Sequence, residues 1–199
     1  SMQNSEFASI DELRRYVSQQ IHDFHALNGR GVIAHFDSES YERYIWFARV
    51  GEGSLGGKAR GLAFLNSLVL KHGLANKYDN VKISIPRTIV VATEFFDQFI
   101  LENGLQYVID SDISDEEILS EFVSSRLPEG LVEQLKAYID TVRTPLAVRS
   151  SSKLEDSSYQ PFAGVYSTYM IPLVENKDQM LRMLGKAIKS VYASVFYSG

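Results

Sequence analysis

Gly51-Glu-Gly-Ser-Leu-Gly-Gly57, followed at once by Lys58, decides how this chain is read. Just upstream, Tyr44-Ile-Trp-Phe-Ala-Arg-Val50 is β-branched and aromatic enough for a strand. Just downstream, the residues from about Lys58 to His72 read as a helix. Lys71 and His72 suit its negative end, and Gly73 suits its C-cap. A strand, a glycine turn and a helix in that order aim free backbone N–H groups, a helix dipole and the Lys58 ammonium at one spot. Such a spot suits a phosphate. The plainer reading is a tight strand–helix turn with a solvated lysine, and local physics alone leaves both open.

Two sharper motifs compete for the same glycines. Gly51-x-Gly53-x-x-Gly56 satisfies the dinucleotide fingerprint. That fold also needs an acidic residue about 20 positions on, at the end of a second strand. Here Lys71-His72-Gly73 occupies that region, at a helix end. A P-loop anchored on Lys58 would need glycine at position 52 and a hydroxyl at position 59. The residues are Glu52 and Ala59, so both the turn and the magnesium ligand fail.

Working outward, helices and strands are mixed without repeats or low-complexity tracts, which gives an α/β or α+β class. Ser9-Ile-Asp-Glu12 reads as a capping box for a helix with Ile10, Leu13, Val17, Ile21 and Phe24 on one face, stopped by Asn28-Gly29-Arg30-Gly31. Val81 to Ala92 reads as a strand, with Pro86 arguing for an edge or a bulge. Thr93 is expected to cap a short helix ending at Asn103-Gly104. Ser114-Asp-Glu-Glu117 is a second capping box, and Asp110, Asp112, Asp115, Glu116 and Glu117 read as a solvated helix start. Pro128 is placed to begin a helix carrying Leu131, Leu135 and Ile139. A last helix from about Asn176 sets Met180, Leu184, Ala187, Ile188, Val191 and Val195 on one stripe.

Composition narrows the chemistry. The 199 residues are 45% hydrophobic and 23% charged, which suits a globular protein and argues against disorder or coiled coil. No apolar run approaches the roughly 18–20 residues of a membrane span. A net charge of −5 argues against a broad nucleic-acid-binding face, though not against a local basic pocket. With no cysteine, disulfides, thiolate metal sites and cysteine nucleophiles are excluded together, and a reducing cytoplasm fits. Met2 behind Ser1 reads as a tag-cleavage scar, with no signal sequence after it. His22 and His25 would share a helix face, but no further ligand cluster supports a metal there.

A second cluster is Ala147-Val-Arg-Ser-Ser-Ser152, with Glu155-Asp156 after it. Leu146 to Arg149 reads as a short strand. An arginine at the end of a buried strand is costly without an anionic partner. Its planar fork suits a phosphate, and the adjacent hydroxyls offer more donors. The plainer partner is Glu155 or Asp156. Ser150-x-x-Lys153 matches the penicillin-binding nucleophile motif, but neither S-D-N nor K-T-G follows. Beyond a polar loop, Gly164 precedes a strand from Val165 to Ile171. A glycine there lets backbone approach a ligand, or merely starts a hairpin.

Taken in order, these segments resemble the ATP-binding domain of phosphoenolpyruvate synthase and pyruvate phosphate dikinase. Gly56-Gly-Lys-Ala-Arg-Gly-Leu62 resembles the family's G-G-K-[GA]-x-x-L start. Ile85-Pro-Arg-Thr-Ile-Val-Val-Ala-Thr93, with Phe95 and Phe99, resembles P-x-G-F-V-[IV]-T-T and the helix after it. Ala147-Val-Arg-Ser-Ser-Ser152 with Glu155-Asp156 resembles V-R-S-S-A-x-x-E-D. Phe162-Ala-Gly164 with Thr168-Tyr169 resembles S-F-A-G-x-x-[DE]-T-[YF]. Ala187-Ile-Lys-x-Val-Tyr-Ala-Ser-Val-Phe196 resembles A-I-x-x-V-W-A-S-L-F. Arg87, Ala92, Ser152, Lys153 and Ser167 depart from these patterns, which bears on loop geometry and nucleotide affinity more than on fold.

The resemblance implies an α+β chain: the N-terminal subdomain of an ATP-grasp-like nucleotide-binding domain, with a mixed sheet and packed helices. Residues 46–199 would form it, and residues 1–45 would be a helical extension or linker. Lys58 and Arg149 would be the catalytic cations. Gly56, Gly57, Lys58, Arg149, Ser150, Ser151, Gly164 and Thr168 would bind nucleotide and phosphate, with the Gly164 loop closing over them. ATP is the implied ligand, and Mg2+ the implied metal, with its ligands outside this chain. ATP would phosphorylate a histidine on a separate domain, and the phosphate would pass to an acceptor domain. Chain length further suggests a fragment inactive on its own. The alternative is a non-catalytic regulatory or docking module that retains the fold. No nucleic-acid or membrane partner is expected, and the location expected is the cytoplasm.

Overall fold

A computed structural model describes residues 9–17, 33–37, 46–151 and 168–197. Helix α1 covers 10–17, and the N–H of Glu12 donates to Ser9 Oγ at 3.2 Å, one half of the expected capping box. Within this stretch Ile10 and Val17 are exposed, so the predicted apolar face is not buried there. Ile21, Phe24, Asn28–Gly31, His22 and His25 lie outside the described residues.

Strands β1 (Ala34–His35), β2 (Phe47–Val50) and β3 (Thr88–Val91) form a parallel sheet with β2 in the centre. β1 comes from before residue 46 and still pairs with β2, Ala34 beside Ala48 and His35 beside Arg49. β2 is buried at Phe47, Ala48 and Val50, as a central parallel strand should be. Helix α2 (Gly56–Lys71) links β2 to β3 as a βαβ unit. Gly73 beyond it is left-handed at φ 60°, fitting the predicted stop. The strand expected over Val81–Ala92 is shorter. Val81 makes only an isolated bridge to Tyr78, and pairing begins at Thr88, past the proline that cannot donate. Among the described strands β3 is an edge, as Pro86 suggested.

Helix α3 (Thr93–Glu102) starts differently from expectation. Ala92 is its N-cap and Thr93 its first residue, because the Thr93 hydroxyl is used elsewhere, as described below. Helix α4 (Asp115–Ser124) carries the full Ser114–Glu117 capping box. The Ser114 N–H, and then its hydroxyl, hold the Glu117 carboxyl below the usual range. Helix α5 (Glu129–Thr141) has Pro128 at its N-cap, one position outside the predicted start, and buries Leu131, Leu135, Tyr138 and Ile139. Strands β4 (Leu146–Val148) and β5 (Tyr169–Ile171) pair antiparallel in a second small sheet. Both strand orientations are therefore present, in separate sheets. Helix α6 (Lys177–Ala193) begins at Asn176, whose side chain accepts from the Gln179 N–H.

α6 ties the molecule together. Met180, Leu184, Ala187 and Ile188 join Ala48 and Val50 of β2, Ile171 of β5 and the buried face of α5 in one core. Its last turn joins Phe99, Ile100, Leu105, Val108, Ile118 and Phe122 in a second. Val195, expected on the stripe, is exposed, because the chain tightens into a 3-10 turn at Ser194–Phe196. Lys189 on α6 donates to the carbonyl oxygens of Val123 and Ser125, which end α4. Burial lowers its pKa from the ordinary lysine value. The Tyr192 ring stands edge-on to Phe96 at 5.0 Å and tilted against Phe99 at 5.4 Å. Its hydroxyl is buried with no hydrogen-bond partner among the described residues.

Candidate functional site

The site is built on the glycine turn at the carboxyl end of β2, where open α/β sheets place their ligands. Residues 51–55 are bound to the start of α3. Ser54 N–H donates to Thr93 Oγ1 at 3.1 Å, and Thr93 N–H returns to the Ser54 carbonyl at 3.2 Å. Glu52 N–H donates to the Glu94 carboxylate at 2.6 Å, and Glu94 N–H donates to the Glu52 carbonyl at 3.2 Å. This accounts for Thr93, whose hydroxyl accepts from the turn instead of capping its own helix. Gly53, at φ 99°, lies so close that a Cβ there would sit 2.6 Å from Thr93 Oγ1.

The far end of the turn meets the second predicted cluster. A Cβ on Gly56 would stand 1.3 Å from the Ser151 carbonyl oxygen, so only glycine lets the two segments touch. Ser151 Oγ accepts from Ala59 N–H at 2.9 Å and donates to the Leu55 carbonyl at 2.8 Å. Leu55 and Ala59 are the pair that closes the first turn of α2, and the serine hydroxyl bridges them. The sequence offered this hydroxyl as a phosphate donor. The structure commits its single proton to Leu55, so the side chain shapes the helix start.

Gly56, Gly57 and Lys58 form the first three positions of α2, and Lys58 is half-buried. Arg149 and the buried Ser150 lead directly into Ser151. Arg149 is exposed, which corrects the premise that it ends a buried strand; no desolvation cost demands a partner. In the β4–β5 ladder Val148 faces Tyr169, so the residues next in register are Arg149 and Thr168. One rim therefore gathers Gly56–Lys58, Arg149–Ser151 and Thr168. Gly164, together with Glu155 and Asp156, lies outside the described residues.

Sequence reasoning missed Thr93 and Glu94 as partners of the turn, and also Arg49, Glu52 and His35. Arg49 Nη2 lies 2.6 Å from both Glu52 Oε2 and His35 Nε2, and His35 Nε2 lies 3.3 Å from Glu52 Oε1. The register of β1 on β2 sets His35 beside Arg49. A shallow cavity of about 220 Å³ opens next to them, lined in part by Arg49, Gly51, Phe95 and Glu133. None of Lys58, Arg149, Ser151 or Thr168 lines it, so this hollow and the rim are different places. Among the described residues no group of three or more His, Asp or Glu is placed to hold a metal. No helix among the described residues is long and apolar enough to cross a membrane.

Searches of curated proteins and of solved structures return no match. Residues 52–198 match the family described as pyruvate phosphate dikinase, AMP/ATP-binding domain. That span opens inside the glycine turn, runs through the Arg149 segment and closes after α6, taking in the whole rim. The glycine turn read first in the sequence and the serine that closes on it are thus parts of one matched unit, and the chain belongs to the pyruvate phosphate dikinase AMP/ATP-binding domain family.

Proposed function

We propose that the rim at Gly56–Lys58, Arg149–Ser151 and Thr168 holds the phosphate chain of the nucleotide that this ATP/AMP-binding family takes. The carrying observation is the contact of Gly56 on Ser151, which sets the start of α2 and the end of β4 side by side. A helix start carries the positive end of its dipole. Lys58 contributes a point charge there, and the Arg149 fork contributes paired donors across the rim. Such cations act by stabilising charge that develops on transferring phosphate oxygens.

In the wider reading, this is the N-terminal part of an ATP-grasp-like domain in a cytoplasmic phosphotransferase. ATP held here phosphorylates a histidine on another domain, and the phosphate then passes to an acceptor domain. Support comes from the family and from the ordered motifs. The loop at Gly164 covers the phosphates in this reading, and the residues on this rim carry the nucleotide-binding share of the reaction.

Calorimetry with a non-hydrolysable ATP analogue tests the proposal. Charge-assisted hydrogen bonds are worth about 1.5–3 kcal/mol each. Lys58→Ala and Arg149→Ala should therefore each weaken binding roughly 10- to 100-fold. Undiminished binding by both variants would move the site elsewhere. No binding by the unmutated protein would favour the non-catalytic module.

A further inference from the structure

We propose that Glu52 is a positioning residue for the phosphate-binding turn, an inference that rests on the nucleotide reading above. Glu52 is held through both its backbone and its carboxylate. Its N–H goes to the Glu94 carboxylate at 2.6 Å, and its carbonyl accepts from Glu94 N–H at 3.2 Å. Its carboxylate takes Arg49 Nη2 at 2.6 Å and lies 3.3 Å from His35 Nε2. One residue thereby ties the turn to β2 and the start of α3, and Arg49 in turn reaches His35 of β1. Because an arginine only donates, the contact of Arg49 with His35 makes Nε2 the acceptor and leaves the imidazole proton on Nδ1.

The need for such a brace follows from the neighbours. Gly51 and Gly53 sit at φ 79° and 99°, with no side chains to hold them. An unbraced Gly-x-Gly segment loses more conformational freedom on ordering than any other. A turn ordered in advance spares that cost when a ligand binds. A P-loop would place glycine at position 52; this chain places a carboxylate, which beside a phosphate would repel it. Arg49 neutralises that carboxylate and draws it aside toward β1, converting a liability into an anchor.

The anchor contributes little to global stability. The Glu52 side chain is 63% exposed and Arg49 is 22% exposed, and ion pairs of this kind are nearly neutral in net worth. Positioning and fold maintenance therefore separate experimentally. Glu52→Ala should weaken binding of a non-hydrolysable ATP analogue about 5- to 20-fold and speed amide exchange at Gly53 and Ser54. Its Tm should stay within about 2 °C of the unmutated protein. Glu52→Gln keeps an acceptor for Arg49 and should recover most of the affinity and the exchange protection. Glu52→Ala binding as tightly as the unmutated protein, or more tightly, would overturn the proposal, since tighter binding would mean that the carboxylate merely repels phosphate. Unchanged exchange at Gly53 and Ser54 would overturn it equally. If the unmutated protein binds no nucleotide, the functional reading falls by itself. The exchange comparison then still decides whether Glu52 braces the turn.

Discussion

Removing one oxygen atom should stabilise this protein. The Tyr192 hydroxyl is buried and has no hydrogen-bond partner among the described residues. Burial, with a smaller effect of the Asp97 charge, pushes its phenol well above the ordinary tyrosine range. A buried donor left unpaired costs about 1–3 kcal/mol. Tyr192→Phe deletes it and keeps the ring, with its contacts to Phe96 and Phe99. The void left is oxygen-sized, and at roughly 24 cal/mol per Å3 it costs a few tenths of a kcal/mol. The expected net gain is about 1–2 kcal/mol, or a rise in Tm of roughly 2–8 °C for a chain of this size. Calorimetric melting at neutral pH measures it. The pH dependence adds a second signature. A raised folded-state pKa gives stability that is fully present below the unfolded value near pH 10. That contribution is lost as pH climbs from there through the folded value. The unmutated protein should therefore fall off more steeply with alkali than Tyr192→Phe. A variant less stable by more than about 0.5 kcal/mol would refute the reasoning, since the hydroxyl would then have a partner worth keeping.

Three further outcomes are expected. Gly56→Ala forces a Cβ into the Ser151 carbonyl at a φ of 75°, and should cost about 3 kcal/mol or more, read by urea unfolding. Lys189→Met leaves the Val123 and Ser125 carbonyls without their donor, and should lower stability by about 1–2 kcal/mol in the same assay. Ser114→Ala removes a capping box and should cost about 1 kcal/mol at neutral pH. In that variant Glu117 should titrate nearer its ordinary value by NMR. Because the Glu117 pKa is lowered by Ser114, the cap's pH-linked share is present above the unfolded carboxyl value and is lost as acid protonates the group.

Elements announced by local chemistry were legible in the sequence. The Ser114 box, the Asn176 cap, the Gly73 stop and the stripe from Met180 to Val191 each depend on residues a few positions apart. Elements set by distant partners were not. Pro86 hinted at an interruption, but that the strand begins only at Thr88 is set by where its pairing with β2 begins. Thr93 carries a good capping side chain, yet its hydroxyl goes to Ser54, a residue far off in the chain. The site shows the same division. Gly56, Lys58 and Arg149 were readable as residue types suited to phosphate. That Ser151 would spend its proton on Leu55, and that Arg49 and His35 would flank Glu52, depends on strand register and close approach across the fold.

The bridge that Ser151 makes has a consequence for assembly. The two groups it joins, Leu55 and Ala59, lie 96 and 92 residues before it in the chain. Closing a loop of that length delays the contact until much of the intervening chain has ordered. The first turn of α2 should therefore be among the last features to mature, although its residues are local to one another. Amide exchange at Ala59 then becomes a gauge of whether the Ser151 segment has docked.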